Sequence, residues 1–311
     1  MNIATVTLSP AIDQTVRADH FQNGQVNRAQ AMHFDAGGKG INVASVLADY
    51  GLPVVATGFL GDANAYIFET LFGIKGIGDR FVRLAGYTRT NVKIVDEARQ
   101  ETTDINMSSL AITERAIADL LAIIDELTET CDWFVLSGNL PPRAPVNIYA
   151  TIIRRVQARG KRVVLDTSYE ALQQGILAGP TIVKPNLDEF MQILGRDLAD
   201  ETAVLTAARS LLTHGIEMVV VSMREKGALF VTATGAVTAV PPQVNVKSSV
   251  GAGDAMVAGL IAAQRQNLAL PELARLATAF SVATITRVGA HLPDKTAVAA
   301  YASQVTIHTN V

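Results

Sequence analysis

The stretch Ser248-Ser249-Val250-Gly251-Ala252-Gly253-Asp254 runs straight into the apolar segment Ala255-Met256-Val257-Ala258-Gly259-Leu260-Ile261. Two glycines one residue apart let the backbone turn tightly and direct successive N–H groups into one concavity that favours an anion. The following run lacks proline and continues through Ala262, Ala263, Gln264 and Arg265, which predicts a helix beginning near Gly253. A helix start adds unpaired donors and a partial positive charge at the same spot. Asp254 then sets a carboxylate beside a site built for negative charge. A loop that only binds an anion is weakened by that repulsion, whereas one that holds a transferring phosphoryl group and also accepts a proton makes use of it. The plainer alternative is a glycine-rich turn closed by an acid in the first helical turn.

A second glycine loop, Ala36-Gly37-Gly38-Lys39-Gly40-Ile41-Asn42-Val43-Ala44, brings a cation and an amide to another helix start. Its glycines permit close approach of backbone to a ligand, and Lys39 supplies a point charge. Val43, Val46, Leu47 and Tyr50 recur at helical spacing and Gly51 is the stop. Further along, Asn186 and Glu189 stand three apart at a predicted helix start. They can hold Mg²⁺ through water, or form a capping pair, and the two roles are compatible. Other phosphate and cofactor signals are missing. Met256 stands where a dinucleotide fingerprint needs its third glycine, no G-x-x-x-x-G-K-[ST] occurs, and the H-R-D and D-F-G signals of protein kinases are absent.

These loops need a scaffold, and the rest of the chain predicts one. Residues 2–8 read as a strand that stops at Ser9-Pro10, with Ala11-Ile12-Asp13 as a loop placing an acid beyond its carboxyl end. Short alternating pieces between Gln14 and Phe34 read as a small, partly exposed sheet. Residues 86–95 and 102–107 read as a hairpin with Asp96-Glu97-Ala98-Arg99 near its turn. From residue 108 to about 240, short apolar strands alternate with helices that stop at glycines, which predicts an α/β fold with a mainly parallel sheet and helices on both faces. Asp13, Ser137, Asp166, Lys184-Pro185-Asn186 and Ser222 fall at strand ends, which a parallel sheet gathers along one edge.

The chain has 311 residues, 49% of them hydrophobic, with a net charge of −3, enough for one large α/β domain with an ample core. A slightly acidic chain without a basic run speaks against nucleic acid and membrane surfaces as partners. Cys131 is the one cysteine, which excludes an internal disulfide and suits a reducing cytoplasm. No apolar run approaches the roughly 18 residues of a membrane span, and Met1-Asn2-Ile3-Ala4 has no basic leader character.

Together these stretches resemble the ribokinase-like (PfkB) carbohydrate kinases along nearly the whole chain. The segment 36–44 is similar to the family's first signature, 248–261 to its second, and Lys184-Pro185-Asn186-Leu187-Asp188-Glu189 to its N-x-x-E region. Thr7-Leu8-Ser9-Pro10-Ala11-Ile12-Asp13, Thr88-Arg89-Thr90-Asn91-Val92-Lys93 and Thr103-Asp104-Ile105-Asn106 resemble the family's phosphosugar branch. The resemblance implies a three-layer kinase domain spanning 1–311, with a β lid from about 12–34 and 87–106 that in relatives also pairs subunits into a homodimer. It implies ATP-dependent phosphorylation of a ketohexose phosphate, fructose 1-phosphate first, with tagatose 6-phosphate and fructose 6-phosphate as alternatives. A non-catalytic sugar-phosphate-binding regulator is the alternative from another class.

By the same resemblance Asp254 is the expected general base, beside an anion hole of Gly251, Ala252 and Gly253. Asp13, Gly38, Lys39, Asn42, Asn106 and Asn139 are expected on the sugar, with Arg89 and Lys93 on its existing phosphate. Lys184, Asn186, Ser222, Arg224, Gly227 and Ser248 are expected along ATP, with Mg²⁺ near Asn186 and Glu189. Ser9, Asn139, Arg143 and Arg224 depart from the residues usual at their places in the family patterns.

Overall fold

The structure, a computed structural model, describes residues 2–287 and 289–310. The chain opens with β1 (Asn2–Thr7), β2 (Ala11–Arg17), β3 (Ala31–Gly37), α1 (Lys39–Asp49), β4 (Val54–Gly61), α2 (Tyr66–Lys75), β5 (Gly78–Asp79) and β6 (Val82–Leu84). The hairpin β7 (Thr90–Asp96) and β8 (Glu101–Ile105) follows. The regular alternation then comprises α3 (Glu114–Leu127), β9 (Cys131–Ser137), α4 (Ile148–Gln157), β10 (Arg162–Asp166), α5 (Tyr169–Ile176), β11 (Ile182–Val183), α6 (Leu187–Leu194), α7 (Glu201–Leu211) and β12 (Met218–Ser222). Last come β13 (Ala228–Thr232), β14 (Gly235–Val240), α8 (Ala252–Arg265), α9 (Leu270–Ile285), α10 (Lys295–Gln304) and β15 (Thr306–Asn310).

The large sheet runs β15-β14-β13-β12-β11-β10-β9-β1-β4-β5, with β6 beside β4. It is parallel from β12 to β5 and antiparallel from β12 to β15. Side-chain alternation along each buried strand feeds a core on either face. Trp133 and Val135 of β9 pack with α1, α8 and α9, whereas Phe134 and Leu136 pack with α3, α4 and α7. Strands flanked by helices on both sides have no solvated face, which is why residues 133–136 of β9 and 218–221 of β12 read as unbroken apolar runs. Cys131 is buried. No helix among the described residues is long and apolar enough to cross a membrane.

The chain changes direction around β1. It returns from β4 to β9 on β1's other side, the switch at which open α/β sheets form crevices beyond their carboxyl ends. Ser137, Asp166 and Ser222 are the last residues of their strands, and Lys184 directly follows β11. The predicted gathering of strand ends is therefore present for these residues. Asp13 is the exception. It lies inside β2, not in a loop, because residues 11–17 pair with β3 on one side and β7 on the other.

That pairing builds the second sheet, β3-β2-β7-β8, in which the two segments expected near 12–34 and 87–106 do meet. Its far end is tied by Asp96, whose carboxylate accepts the backbone N–H groups of His20, Phe21 and Arg99 at 3.0, 2.8 and 3.1 Å. Three amides satisfied by one buried carboxylate fix the irregular stretch after β2 to the β7–β8 turn. Asp96→Ala is expected to speed hydrogen exchange of the His20 and Phe21 amides about ten-fold while leaving the large sheet's amides unchanged. Mass-spectrometric exchange on the two proteins checks this.

Candidate active site

The start of α8 is shaped by Gly251, which caps it at φ 83°, a left-handed conformation that suits glycine. The first intrahelical bond runs from the Ala255 N–H to the Gly251 carbonyl at 2.8 Å, so the amides of Gly253 and Asp254 have no acceptor within the helix. Asp254 is buried, and its Oδ2 accepts a hydrogen bond from Asn42 Nδ2 at 2.8 Å. The two glycine loops therefore meet at this carboxylate. Burial, and then the negative charge of Asp166, push its pKa up to about 6 against the pull of Lys39, Asn42 and Lys184.

Asp166 organises the cations. Its Oδ1 lies 3.3 Å from Lys39 Nζ and 3.4 Å from Lys184 Nζ, and Ser137 Oγ donates to its Oδ2 at 3.3 Å. Burial works against its charge, but Lys184 and Lys39 outweigh burial and hold it below the usual carboxylate range. The same attraction, chiefly from Asp166, raises Lys39, so its ammonium stays charged. Lys39 Nζ is also 4.0 Å from Glu189 Oε1. The sequence marks Asp166 only as one polar strand end among several. Its pairing with two lysines from distant segments has no local signature.

A cleft of about 1140 Å³ opens over this cluster. Lys39, Lys184, Asn186, Glu189, Ser222, Arg224, Gly227, Gly251, Ala252, Gly253 and Asp254 all line it, so most of the expected phosphate-side residues share one space. Val244, Val246, Val282 and Ile285 add apolar wall. Asn186 and Glu189 form a full capping box on α6: Asn186 Oδ1 accepts from the Glu189 N–H at 2.8 Å and Glu189 Oε2 from the Asn186 N–H at 2.9 Å. Glu189 Oε1 is left facing Lys39. Gly227 is required sterically, since a Cβ there would meet the Ala239 carbonyl oxygen at 2.0 Å. Arg224 pairs with Asp188 at 3.0 Å, both well exposed on the cleft. Ser248 does not line the cleft, although Ser249 does, and its Oγ accepts from the Val250 N–H at 3.2 Å.

The residues expected on the sugar are more dispersed. Gly38, at φ 124°, presses on β1 and the turn after it, where a Cβ would lie 3.0 Å from Thr7 Cγ2. Asp13 Oδ1 accepts from Asn91 Nδ2 at 3.1 Å, and burial raises its pKa. Asn91 also accepts the Met107 N–H at 3.3 Å, joining β2 to the segment after β8, a role the sequence does not reveal. Arg89 directs its guanidinium to the carbonyls of Pro10, Met107 and Ser9, each at 3.2 Å. Lys93 lies 3.7 Å from Asp104, Asn106 is exposed, and Asn139 Oδ1 accepts from Ser168 Oγ at 2.8 Å. Lys39, expected on the sugar, lines the cleft beside Lys184 and Asp254.

The sequence profile of the pfkB family carbohydrate kinases matches residues 6–297. The chain belongs to that family. It is 46% identical over 313 residues to the 1-phosphofructokinase of Rhodobacter capsulatus, covering 99% of this chain and 98% of that protein. It is 37% identical over 307 residues to the 1-phosphofructokinase of Escherichia coli K12, covering 97% of each. Phosphofructokinase-2 of Escherichia coli, solved with substrates and products, superposes with a TM-score of 0.90 at 29% identity over 98% of this chain and 99% of that one. As a carbohydrate kinase, the pfkB chain takes ATP as its phosphoryl donor.

The raised Asp254 carboxyl has a stability consequence. The fold favours its neutral form, so its contribution is full below the ordinary carboxylate range and is lost as pH rises through about 6. Asp254→Asn is expected to be about 1–3 kcal/mol more stable than the native protein at pH 8, the gap narrowing to about a third of that at pH 4.5. Urea unfolding at the two pH values measures it. An Asn variant less stable at pH 8 contradicts the electrostatic description of the pocket.

Proposed function

We propose that this chain transfers the γ-phosphoryl group of ATP to the free primary hydroxyl of fructose 1-phosphate, giving fructose 1,6-bisphosphate. One observation carries the reading: a buried carboxylate with its pKa raised to about 6 sits at the amide-lined start of α8, on the floor of a cleft holding two lysines. The 1-phosphofructokinase relatives, aligned over nearly the full chain, favour fructose 1-phosphate over the other ketohexose phosphates.

In this reading Asp254 takes the hydroxyl proton as the oxygen attacks phosphorus. The Asn42 donor engages Oδ2 and leaves Oδ1 to receive the proton. The amide of Gly253, and that of Ala252 on leaving the Ser249 carbonyl to which it donates at 3.5 Å, meet the charge on the transferring group, with Gly251 setting the turn. Lys39 and Lys184, gathered by Asp166, neutralise the phosphates. Lys39 shares the cleft with Asp254, so it serves the sugar hydroxyl there and the phosphates alike. Asn186, Ser222, Arg224, Gly227 and the Ser248 segment line the nucleotide. Asp13, Gly38, Asn106 and Asn139 face the sugar, with Arg89 and Lys93 on its existing phosphate. Arg89 spends three donors on carbonyls and keeps two for phosphate oxygens.

Among the described residues no group of three or more metal-ligating side chains comes together. Glu189 Oε1 and Asn186 nevertheless fit Mg²⁺, which keeps several waters and needs only one or two protein carboxylates beside substrate phosphates. When bound, the ion neutralises phosphate charge.

Residues 1–311 form, in this reading, one kinase domain, with the small sheet as a lid that excludes water. Its exposed Met32, Phe34, Ile105 and Met107 suit pairing with a second copy of the chain.

A coupled ADP-release assay across fructose 1-phosphate, fructose 6-phosphate and tagatose 6-phosphate is expected to give the highest kcat/KM with the first. Turnover confined to unphosphorylated sugars would remove the phosphate role of Arg89. Asp254→Asn is expected to lower kcat by about 10²–10⁴, and Arg89→Ala to raise KM for the sugar phosphate with kcat little changed. The base must be ionised, so kcat/KM is expected to fall as pH drops through about 6. An acid limb centred near pH 4 would show an unperturbed group at work.

A further inference from the structure

Helix α1 carries a polar stripe on an otherwise apolar surface. Asn42, Ser45 and Asp49 stand three and four residues apart, so they share one face. Asn42 binds Asp254. The Ser45 hydroxyl, only 3% exposed, donates to the Ala290 carbonyl at 2.8 Å. Asp49 Oδ2 accepts the Leu292 N–H at 3.0 Å, and both of its oxygens lie 2.7 Å from Lys75 Nζ, which is itself 3.2 Å from His291 Nδ1. One helix thus grips the carboxylate of α8 near its start and the backbone of residues 290–292 further along. Its C-terminal end is held too, by Tyr50 against Phe280 at 4.8 Å and Lys295 over the Tyr50 ring at 4.9 Å.

The gripped loop backs the turn at the start of α8. A Cβ on Gly251 would lie 3.5 Å from Ala290 Cβ and 3.8 Å from Ala290 Cα, so the loop occupies the space behind that glycine. The loop is itself tightly folded, with His291 N–H donating to the Gly289 carbonyl at 3.0 Å and Gly289 at φ 84°. Neither Ser45 nor Asp49 lines the cleft. Substrate contact does not account for them, and a buried hydroxyl on a helix packed in an apolar core is costly unless its hydrogen bond is used.

We propose that Ser45 and Asp49 are positioning residues. They clamp residues 290–292 against the back of Gly251, which keeps the Gly251 turn and the amides that follow in register with the carboxylate Asn42 orients. The clamp is a property of the fold, and its kinetic consequence rests on the kinase function proposed above.

Three variants test it: Ser45→Ala, Asp49→Ala and Asp49→Asn. Asparagine keeps an acceptor for the Leu292 N–H while giving up the charge that pairs with Lys75. Hydrogen exchange over residues 249–255 is expected to quicken in both alanine variants and to return close to the native rate in Asp49→Asn. At a temperature where all three remain folded, the alanine variants are expected to lose about ten-fold in kcat, with both KM values within about two-fold of native. Exchange at 249–255 that stays native in the alanine variants overturns the proposal, whatever happens to melting temperature or kcat. If Ser45→Ala does not fold, the Asp49 pair decides alone. A native protein that phosphorylates no sugar phosphate would end the kinase reading while leaving the exchange result to judge the clamp.

Discussion

Two buried carboxylates sharing one pocket with two ammonium groups is the constraint on which the site depends. Asp166 and Asp254 cannot both hold full negative charge cheaply in a low-dielectric space. The conflict is resolved by geometry. Lys39 and Lys184 both lean on the same oxygen of Asp166, which is thereby held ionised, while burial first, and then the charge of Asp166, hold Asp254 near the point of taking a proton. The acid that arranges the cations and the acid that can accept a proton are thus distinguished by their neighbours and not by their chemistry.

Such an arrangement requires four groups from four places in the chain to converge. Asp166 ends β10, Lys184 follows β11, Lys39 opens α1 and Asp254 lies in the first turn of α8. Parallel pairing brings the first two together as adjacent strand ends. The other two arrive on helices packed on the same face of the sheet, and small residues let them approach closely. Gly40 lies so near β1 that a Cβ would meet Thr7 Oγ1 at 2.4 Å, and Gly259 so near α9 that a Cβ would meet Ala277 Cα at 2.7 Å. A side chain at Gly40 would push α1 off β1, and one at Gly259 would part α8 from α9, in each case shifting the helix and the charged group it carries.

Features that depend on short-range pattern were legible in the sequence. The Gly251–Asp254 turn, the α6 start with its capping pair, and the bounds of β10 and β12 all follow from neighbours a few residues apart. Features set by distant partners were not. Asp166 looks like any polar strand end until two lysines meet it. Asp13 follows a proline break and reads as loop, yet pairing to β3 and β7 makes it strand. Beyond Arg265, α9 is marked by Leu273, Leu276 and Phe280 at helical spacing and so belongs with the legible features, whereas β15 is a polar edge strand made by its pairing with β14. The five residues of β15 give no signal that stands above their surroundings.

The path from β1 to α1 has a mechanical consequence. The backbone leaves the middle of the large sheet at Thr7, makes two passes through the small sheet and enters α1 with Gly38 as the sole residue between β3 and the helix. A one-residue joint has almost no slack. A tilt of the small sheet against β1 would therefore act in part through torsion at Gly38, and the ammonium on the very next residue would be carried with it.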